Sequence, residues 1–369
     1  MQIHFSPDQP EDGDSMLPLQ RRGFQLGYVA ASGRASMPAA AAVITAWRQD
    51  QAMLLPAMVD VAPFSGQIAQ AHRLMEQVLE NEEAASFFDE EPYCSRLQQL
   101  PLLGASLEEH DRQGIEKIYF DAEVDGELVA EGLWCKASWL SFHDEDASLR
   151  FRFSFGMEGF EDVAADPVSQ HWAGELCDAL FPESAAVTAD EHILQLLHGV
   201  LDGEPAFVER IVYFNAPNGG AQMHHDVERG HDGVIYAQLS GSTFWLALAK
   251  PLLMDELVAF VADPRHAEDL RAVLPEEADR QELARLLQDR AALSAYLDEP
   301  DHELVEAVMD RCAAFVGYLV ERGYGYMLEP GDALLLPQRD LDTCVWHSVY
   351  CLGDEPGEAL SFALRRKVN

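Results

Sequence analysis

The sequence is short of positive charge. Only four of its 369 residues are lysine (Lys117, Lys136, Lys250 and Lys367), and 25 basic residues stand against 64 acidic ones, a formal charge of −39. A polyanion repels other polyanions, so nucleic acid and anionic membrane surfaces are not expected partners. The acidic residues are spread along the chain rather than gathered in a tail, which reads as a solvated surface. No apolar run approaches the roughly 20 residues of a membrane span. The first ten residues show no basic segment leading into an apolar one, so the expected location is cytoplasmic. Cysteine is sparse too: Cys94, Cys135, Cys177, Cys312, Cys344 and Cys351 form no C-x-x-C pair and no scaffold spacing. Free, buried thiols in a reducing compartment are the expectation. Internal repeats and low-complexity tracts are also absent.

What is present is enough apolar sequence, 48% of residues, to bury a large core. Residues 1–110 read as a mixed, largely helical N-terminal region. Ile68, His72, Met75, Val78 and Leu79 recur at helical spacing within a stretch running from about Met37 to Phe88. Near residue 115 the period changes to two: Ile118, Phe120, Ala122 and Val124 alternate with polar positions, and Asp125-Gly126 supplies a tight hairpin turn. Strand patterns continue over 134–139, 149–155 and 207–215, with a helical stretch at about 168–201. Val234 to Leu248 reads as one strand, 333–336 and 344–352 as two more, and 359–365 as the last. Between them, about 251–323 is helical, and Leu304, Val308, Cys312, Phe315 and Leu319 mark one face of its final helix, closed by Gly323. The fold class expected is mainly β with α: a double-stranded β-helix (jelly roll, cupin) core over 111–369, carrying N-terminal helices and a helical insertion.

The segment that carries chemistry is Gly219-Gly-Ala-Gln-Met-His-His-Asp-Val227. In a strand, residues i and i+2 face one side, so His224 and Asp226 can point together at one ion. A third ligand must come from a neighbouring strand, and His347 in Trp346-His-Ser-Val-Tyr350 is the candidate. Two histidines and a carboxylate on one face leave octahedral positions open, which suits oxygen-activating ferrous iron. His143-Asp-Glu145 has a similar form without supporting context. His225 points away from His224 and reads as a residue that supports the ligands or is structural, and His231 as a solvated loop residue. Trp245 and Trp346 read as core.

The ordered set of Gly-rich turn, H-x-D, Gln238-Leu-Ser-Gly241, Pro-Gly-Asp, apolar strand and histidine resembles the JmjC and cupin-like family of iron- and 2-oxoglutarate-dependent oxygenases. The resemblance covers roughly 205–250 and 325–366. It implies His224, Asp226 and His347 as ligands of Fe(II), 2-oxoglutarate as co-substrate, and hydroxylation or demethylation of a small molecule, peptide or protein. Retention of Asp226 favours hydroxylation over halogenation, since no ligand position is vacated for chloride.

The chain departs from that family where a basic residue usually meets the distal carboxylate of 2-oxoglutarate. Ser242 or Thr243 stands there. A buried carboxylate needs a cation or several donors. Arg365, sharing a face with Ser361 and Ala363 on the last strand, is the preferred substitute, ahead of Lys250 and Arg152. Thr243, Tyr213 and Ser361 are further candidates for the co-substrate. The helical insertion is expected to serve as a lid or a homodimer contact. Two alternatives stay open: a cupin-type metalloenzyme that uses the triad without 2-oxoglutarate, and a non-catalytic β-barrel binding module.

Overall fold

The period-two stretches become a nine-stranded antiparallel sheet, and the apolar strands around His347 form a smaller sheet facing it. The computed structural model describes residues 1–10, 16–108, 114–141, 146–157, 165–228 and 230–367. His143 lies outside them. In chain order the strands are β1 (Gln2–Ser6), β2 (Leu17–Arg21), β3 (Phe24–Ser32), β4 (Met53–Leu55), β5 (Leu102–Glu108), β6 (Gly114–Val124), β7 (Glu127–Trp139) and β8 (Leu149–Phe155). There follow β9 (Pro205–Asn215), β10 (Gly233–Gln238), β11 (Ser242–Ala249), β12 (Gly325–Leu328), β13 (Ala333–Pro337), β14 (Val345–Leu352) and β15 (Gly357–Arg366).

The large sheet runs β4-β13-β10-β15-β9-β8-β7-β6-β5, the small one β12-β11-β14, and β1-β3-β2 form a separate sheet. From β9 onward the chain passes repeatedly between the two facing sheets: β10, β13 and β15 join the large one, β11, β12 and β14 the small one. This winding is compatible with a jelly roll, although the two sheets share no strand. Val234, Tyr236, Trp245, Ala247, Leu334, Leu336 and Val349 fill the space between them.

Helices cover both outer faces. Ser65–Asn81, Pro167–Leu180 and Glu191–Leu201 bury their apolar sides against the large sheet. Asp166 and Asp190 start the last two by accepting backbone N–H bonds, which satisfies donors a helix start leaves open. The insertion, helical from Lys250 to Glu321, packs on the small sheet. It ends as expected at Gly323, where φ is +87°. The N–H groups of Gly323 and Tyr324 donate back to the carbonyls of Val320 and Leu319, a Schellman closure. The Asp125-Gly126 turn, with φ of +54° and +80°, joins β6 to β7 as expected. None of the described helices is long and apolar enough to cross a membrane, and all six cysteines are free.

Several expectations need correction. Residues 234–248 are two strands in different sheets, not one. The chain turns at Gly241, whose φ is +65° and where a Cβ would come within 2.7 Å of Gly357 Cα. The face read as one final helix is two, Glu303–Arg311 and Ala313–Glu321, broken at Cys312 by an extended backbone (ψ 100°). The N-terminal region holds the β1–β3 sheet and also β4, which pairs with β13 at the edge of the large sheet. The boundary drawn near residue 110 falls between paired strands β5 and β6.

Candidate metal centre and its cavity

The strand expected to carry His224 and Asp226 is irregular. Residues 219–224 run antiparallel to β14: Cys351 donates to Gly219, Ala221 and Val349 exchange both backbone bonds, and so do His224 and His347 (2.9 and 2.8 Å). Between these pairs one side advances from 221 to 224 while the other moves only from 349 to 347. That extra residue is a bulge, a device that re-aims side chains. Gly220 is required here, because at its φ of +129° a Cβ would lie 2.1 Å from the Val349 carbonyl oxygen.

As directly opposed residues, His224 and His347 project to the same side, with ring centroids 4.3 Å apart. Asp226 lies beyond the ladder, so the strand rule does not place it. The loop turns its carboxylate onto both imidazoles, with Oδ1 3.4 Å from His224 Nε2 and Oδ2 3.4 Å from His347 Nε2. The three ligand atoms lie within 4.8 Å of one another, and this donor set suits a six-coordinate divalent ion with open positions.

Supporting contacts orient the triad. His224 Nδ1 bonds the Gln222 carbonyl (2.7 Å), leaving Nε2 for the centre. Trp245 stacks on His347 at 5.3 Å, and its Nε1 donates to Thr243. The loop itself is strapped from the N-terminal sheet. Arg21 donates to the Ala221 carbonyl and to Asp310 of the insertion (2.6 Å), whose carboxylate also accepts the Met223 N–H. Removing one partner of such a buried pair costs about 3–5 kcal/mol.

The two imidazoles are shifted in opposite directions. Burial, with His224 beside it, pushes His347 down to about 4, so its lone pair is available at neutral pH. At His224 burial also lowers the value, but the Asp226 carboxylate and the Gln222 carbonyl outweigh it and raise it. Asp226 is held below the usual carboxylate range: burial opposes this, and the charges and hydrogen bond of His347 and His224 prevail.

The triad opens on a cavity of about 470 Å³ between the sheets, a size that takes a small ligand. Tyr213, Ser361 and Trp245 line it as well. Tyr213 is pushed up to about 12 by burial, with Arg150 opposing. Three other candidates fall elsewhere. Thr243 is fully buried, bonds Gln238 Oε1 (2.9 Å) and does not line the cavity. Lys250 is fully buried in an ion pair with Asp298 (2.6 Å). Arg365 stands past Ala363 on its face of β15, beyond the last pair with β10 (Gly233–Leu364), and does not line the cavity.

The cation that sequence reading passed over is Arg150. It lines the cavity beside Tyr213, its partner across the β8–β9 ladder, and among the described residues its one hydrogen bond sends Nε to Ser138 Oγ (3.1 Å). No carboxylate among the described residues pairs with it, in a chain so rich in carboxylates. The signal was the alternation Leu149-Arg-Phe-Arg-Phe, which puts Arg150 and Arg152 on one face and the phenylalanines in the core. Arg152 also lines the cavity, forked onto Glu209 Oε1. His231, expected in solvent, is buried at 8% exposure in the cavity wall. His225 packs edge-on against Trp346 away from the centre, in keeping with a structural role, and Trp346 is core.

No protein-family model matches the chain, and no curated protein does. Among solved structures it is similar to the Escherichia coli ribosomal oxygenase YcfD, at 14% identity and a TM-score of 0.25, over 70% of this chain and 42% of that one. A structure of YcfD with cobalt and succinic acid gives 13% identity and a TM-score of 0.25 over the same shares. A 2OG-Fe(II) oxygenase family oxidoreductase from Burkholderia pseudomallei gives 10% identity and a TM-score of 0.34, over 91% of this chain and 96% of that one. The chain thus spans less than half the length of these two YcfD chains. Likenesses this distant establish no family membership.

Proposed function

We propose that the chain is an Fe(II)- and 2-oxoglutarate-dependent oxygenase that hydroxylates a small molecule, a peptide or a protein side chain. The observation that carries this reading is the convergence of two imidazoles and a carboxylate on a cavity whose wall also holds Arg150, a cation that no carboxylate among the described residues pairs with. When bound, ferrous iron chelated by 2-oxoglutarate supplies dioxygen activation coupled to decarboxylation. His224 Nε2, His347 Nε2 and one oxygen of Asp226 would hold it.

The chain's own residues bind and orient. Neutral His347 offers a lone pair without first losing a proton, and the Gln222 carbonyl keeps the proton of His224 on Nδ1. Arg150 would meet the distal carboxylate of the co-substrate, replacing Arg365 in that role, because a charge-assisted bond in a partly dry cavity offsets the cost of burying that carboxylate. Tyr213, protonated at all working pH values, and Ser361 would donate hydrogen bonds. Val234, Leu336, Val349 and Trp245 line the cavity with apolar surface that excludes water.

Anaerobic protein loaded with Fe(II) and 2-oxoglutarate should show the weak visible absorption of the chelate, and admitting oxygen should yield succinate. Metal binding without that absorption and without 2-oxoglutarate consumption would sink the reading in favour of a triad enzyme that works without the co-substrate. A melting temperature unmoved by Fe(II) or Mn(II) would favour a binding module, since an ion held only by the folded state raises it.

A further inference from the structure

We propose that Glu209, Glu228 and His231 form a second divalent-cation site in the wall of the same cavity. They share no residue with the triad, and one ligand atom from each lies within 4.8 Å of the others. Oxygen and nitrogen ligands sit at about 2.0–2.2 Å from such an ion, so atoms around it are at most roughly 4.4 Å apart. The cluster therefore needs only a small closing movement. One imidazole with two carboxylates suits borderline divalent ions such as Mn(II), Fe(II) or Zn(II).

The observation that separates this cluster from an ordinary acidic patch is His231. Its side chain is buried at 8% exposure, it lines the cavity, and its Nε2 has no hydrogen-bond partner among the described residues. A buried ring nitrogen without a partner costs about 1–3 kcal/mol, and a bound cation removes that deficit. The backbone fixes the arrangement. The His231 N–H donates to the Glu228 carbonyl (3.2 Å), the next N–H, of Asp232, is tied to Leu364 (2.7 Å), and Glu209 sits on β9 opposite Ala363. Two hydrogen bonds from Arg152 fall on Glu209 Oε1, and Oε2 is outside that fork. A cation on Oε2 would share Glu209 with Arg152 and weaken that ion pair.

Mn(II) alone, titrated against the whole chain and followed by the loss of the free-ion electron paramagnetic resonance signal, tests this. The expected count is about two ions for wild type, falling to about one in His231→Ala and in Glu228→Gln. His347→Ala should also leave about one, and the pair His347→Ala/His231→Ala none. A wild-type count of one that persists in His231→Ala and Glu228→Gln overturns the proposal, as does a count of two that both variants leave unchanged. A single wild-type ion lost in His231→Ala but kept in His347→Ala supports this site and sinks the triad instead. Glu228 is largely exposed, so Glu228→Gln reports even if His231→Ala fails to fold.

Discussion

Asp226, in the cavity between the sheets, and Glu358, on the helix-covered face of β15, are both carboxyl groups that burial pushes toward the neutral acid. At Asp226 the neighbours are imidazoles, which outweigh burial and keep the carboxylate charged. At Glu358, fully buried, burial is reinforced by the charge of the neighbouring Glu183 and by the hydrogen bond shared with it, and the value rises well above the usual carboxylate range. Glu183 is itself raised by burial. On β15 the alternate residues Ser361 and Ala363 face the cavity while Leu360, Phe362 and Leu364 enter the helix-covered core with Glu358's face. One side of the sheet prepares charge for a ligand, and the other neutralises it for packing. The partner supplied sets the sign of each shift, and depth of burial adds to it: Glu358 is fully buried, whereas the Asp226 side chain keeps 37% of its exposure.

Breaking the cavity side should have the largest effect. His347→Ala or Asp226→Ala should lower Fe(II) affinity and 2-oxoglutarate turnover by more than about 100-fold, since loss of a ligand exceeds the 10–100-fold typical of a supporting residue. Calorimetry and succinate release check this. Next, Arg150→Ala should raise the 2-oxoglutarate concentration for half-maximal rate by roughly 10–100-fold, corresponding to about 1.5–3 kcal/mol for a charged hydrogen bond. Mn(II) affinity should stay unchanged. A variant indifferent in both would return the role to another cation.

The helix-covered side gives a smaller, pH-dependent effect. An unfolded glutamate titrates near 4.5, and the folded value of Glu358 is raised above it. Its contribution to stability is therefore complete below about pH 4.5 and is lost as pH rises toward the folded value, at up to about 1.4 kcal/mol per pH unit for one proton. Glu358→Gln should flatten that decline, so denaturant melts should show it more stable than wild type at pH 8 and about equal at pH 5. Equal pH slopes would refute the neutral-acid assignment. Smallest of all, Arg365→Ala should change the kinetics less than about twofold, because a residue outside the cavity makes no contact with a bound small ligand.

Much of this was legible in the chain. Period two foretold β6 through β9, β13, β14 and β15, because alternation follows from a strand having one face in a core. Helical spacing foretold the insertion and the Gly323 stop. The triad was legible as residue types in order, and the structure brings those three side chains together. What escaped was non-local. The split of 234–248 into β10 and β11 depends on Gly241 meeting Gly357, more than a hundred positions away. The placement of Thr243 in a closed hydrogen-bond chain and of Lys250 against Asp298 likewise rests on partners that spacing does not reveal.

The sequence by itself determined which stretches bury one face and which residue types could share an ion, since both are properties of local periodicity and side-chain chemistry. Only the tertiary structure decided that a bulge opposite β14, rather than a regular strand, aims His224. It also decided that Arg150 rather than Arg365 reaches the cavity, and that His231 is buried beside two glutamates. Those outcomes depend on which strands become neighbours and where each ends, and pairing across long separations is set by the packing of the whole core.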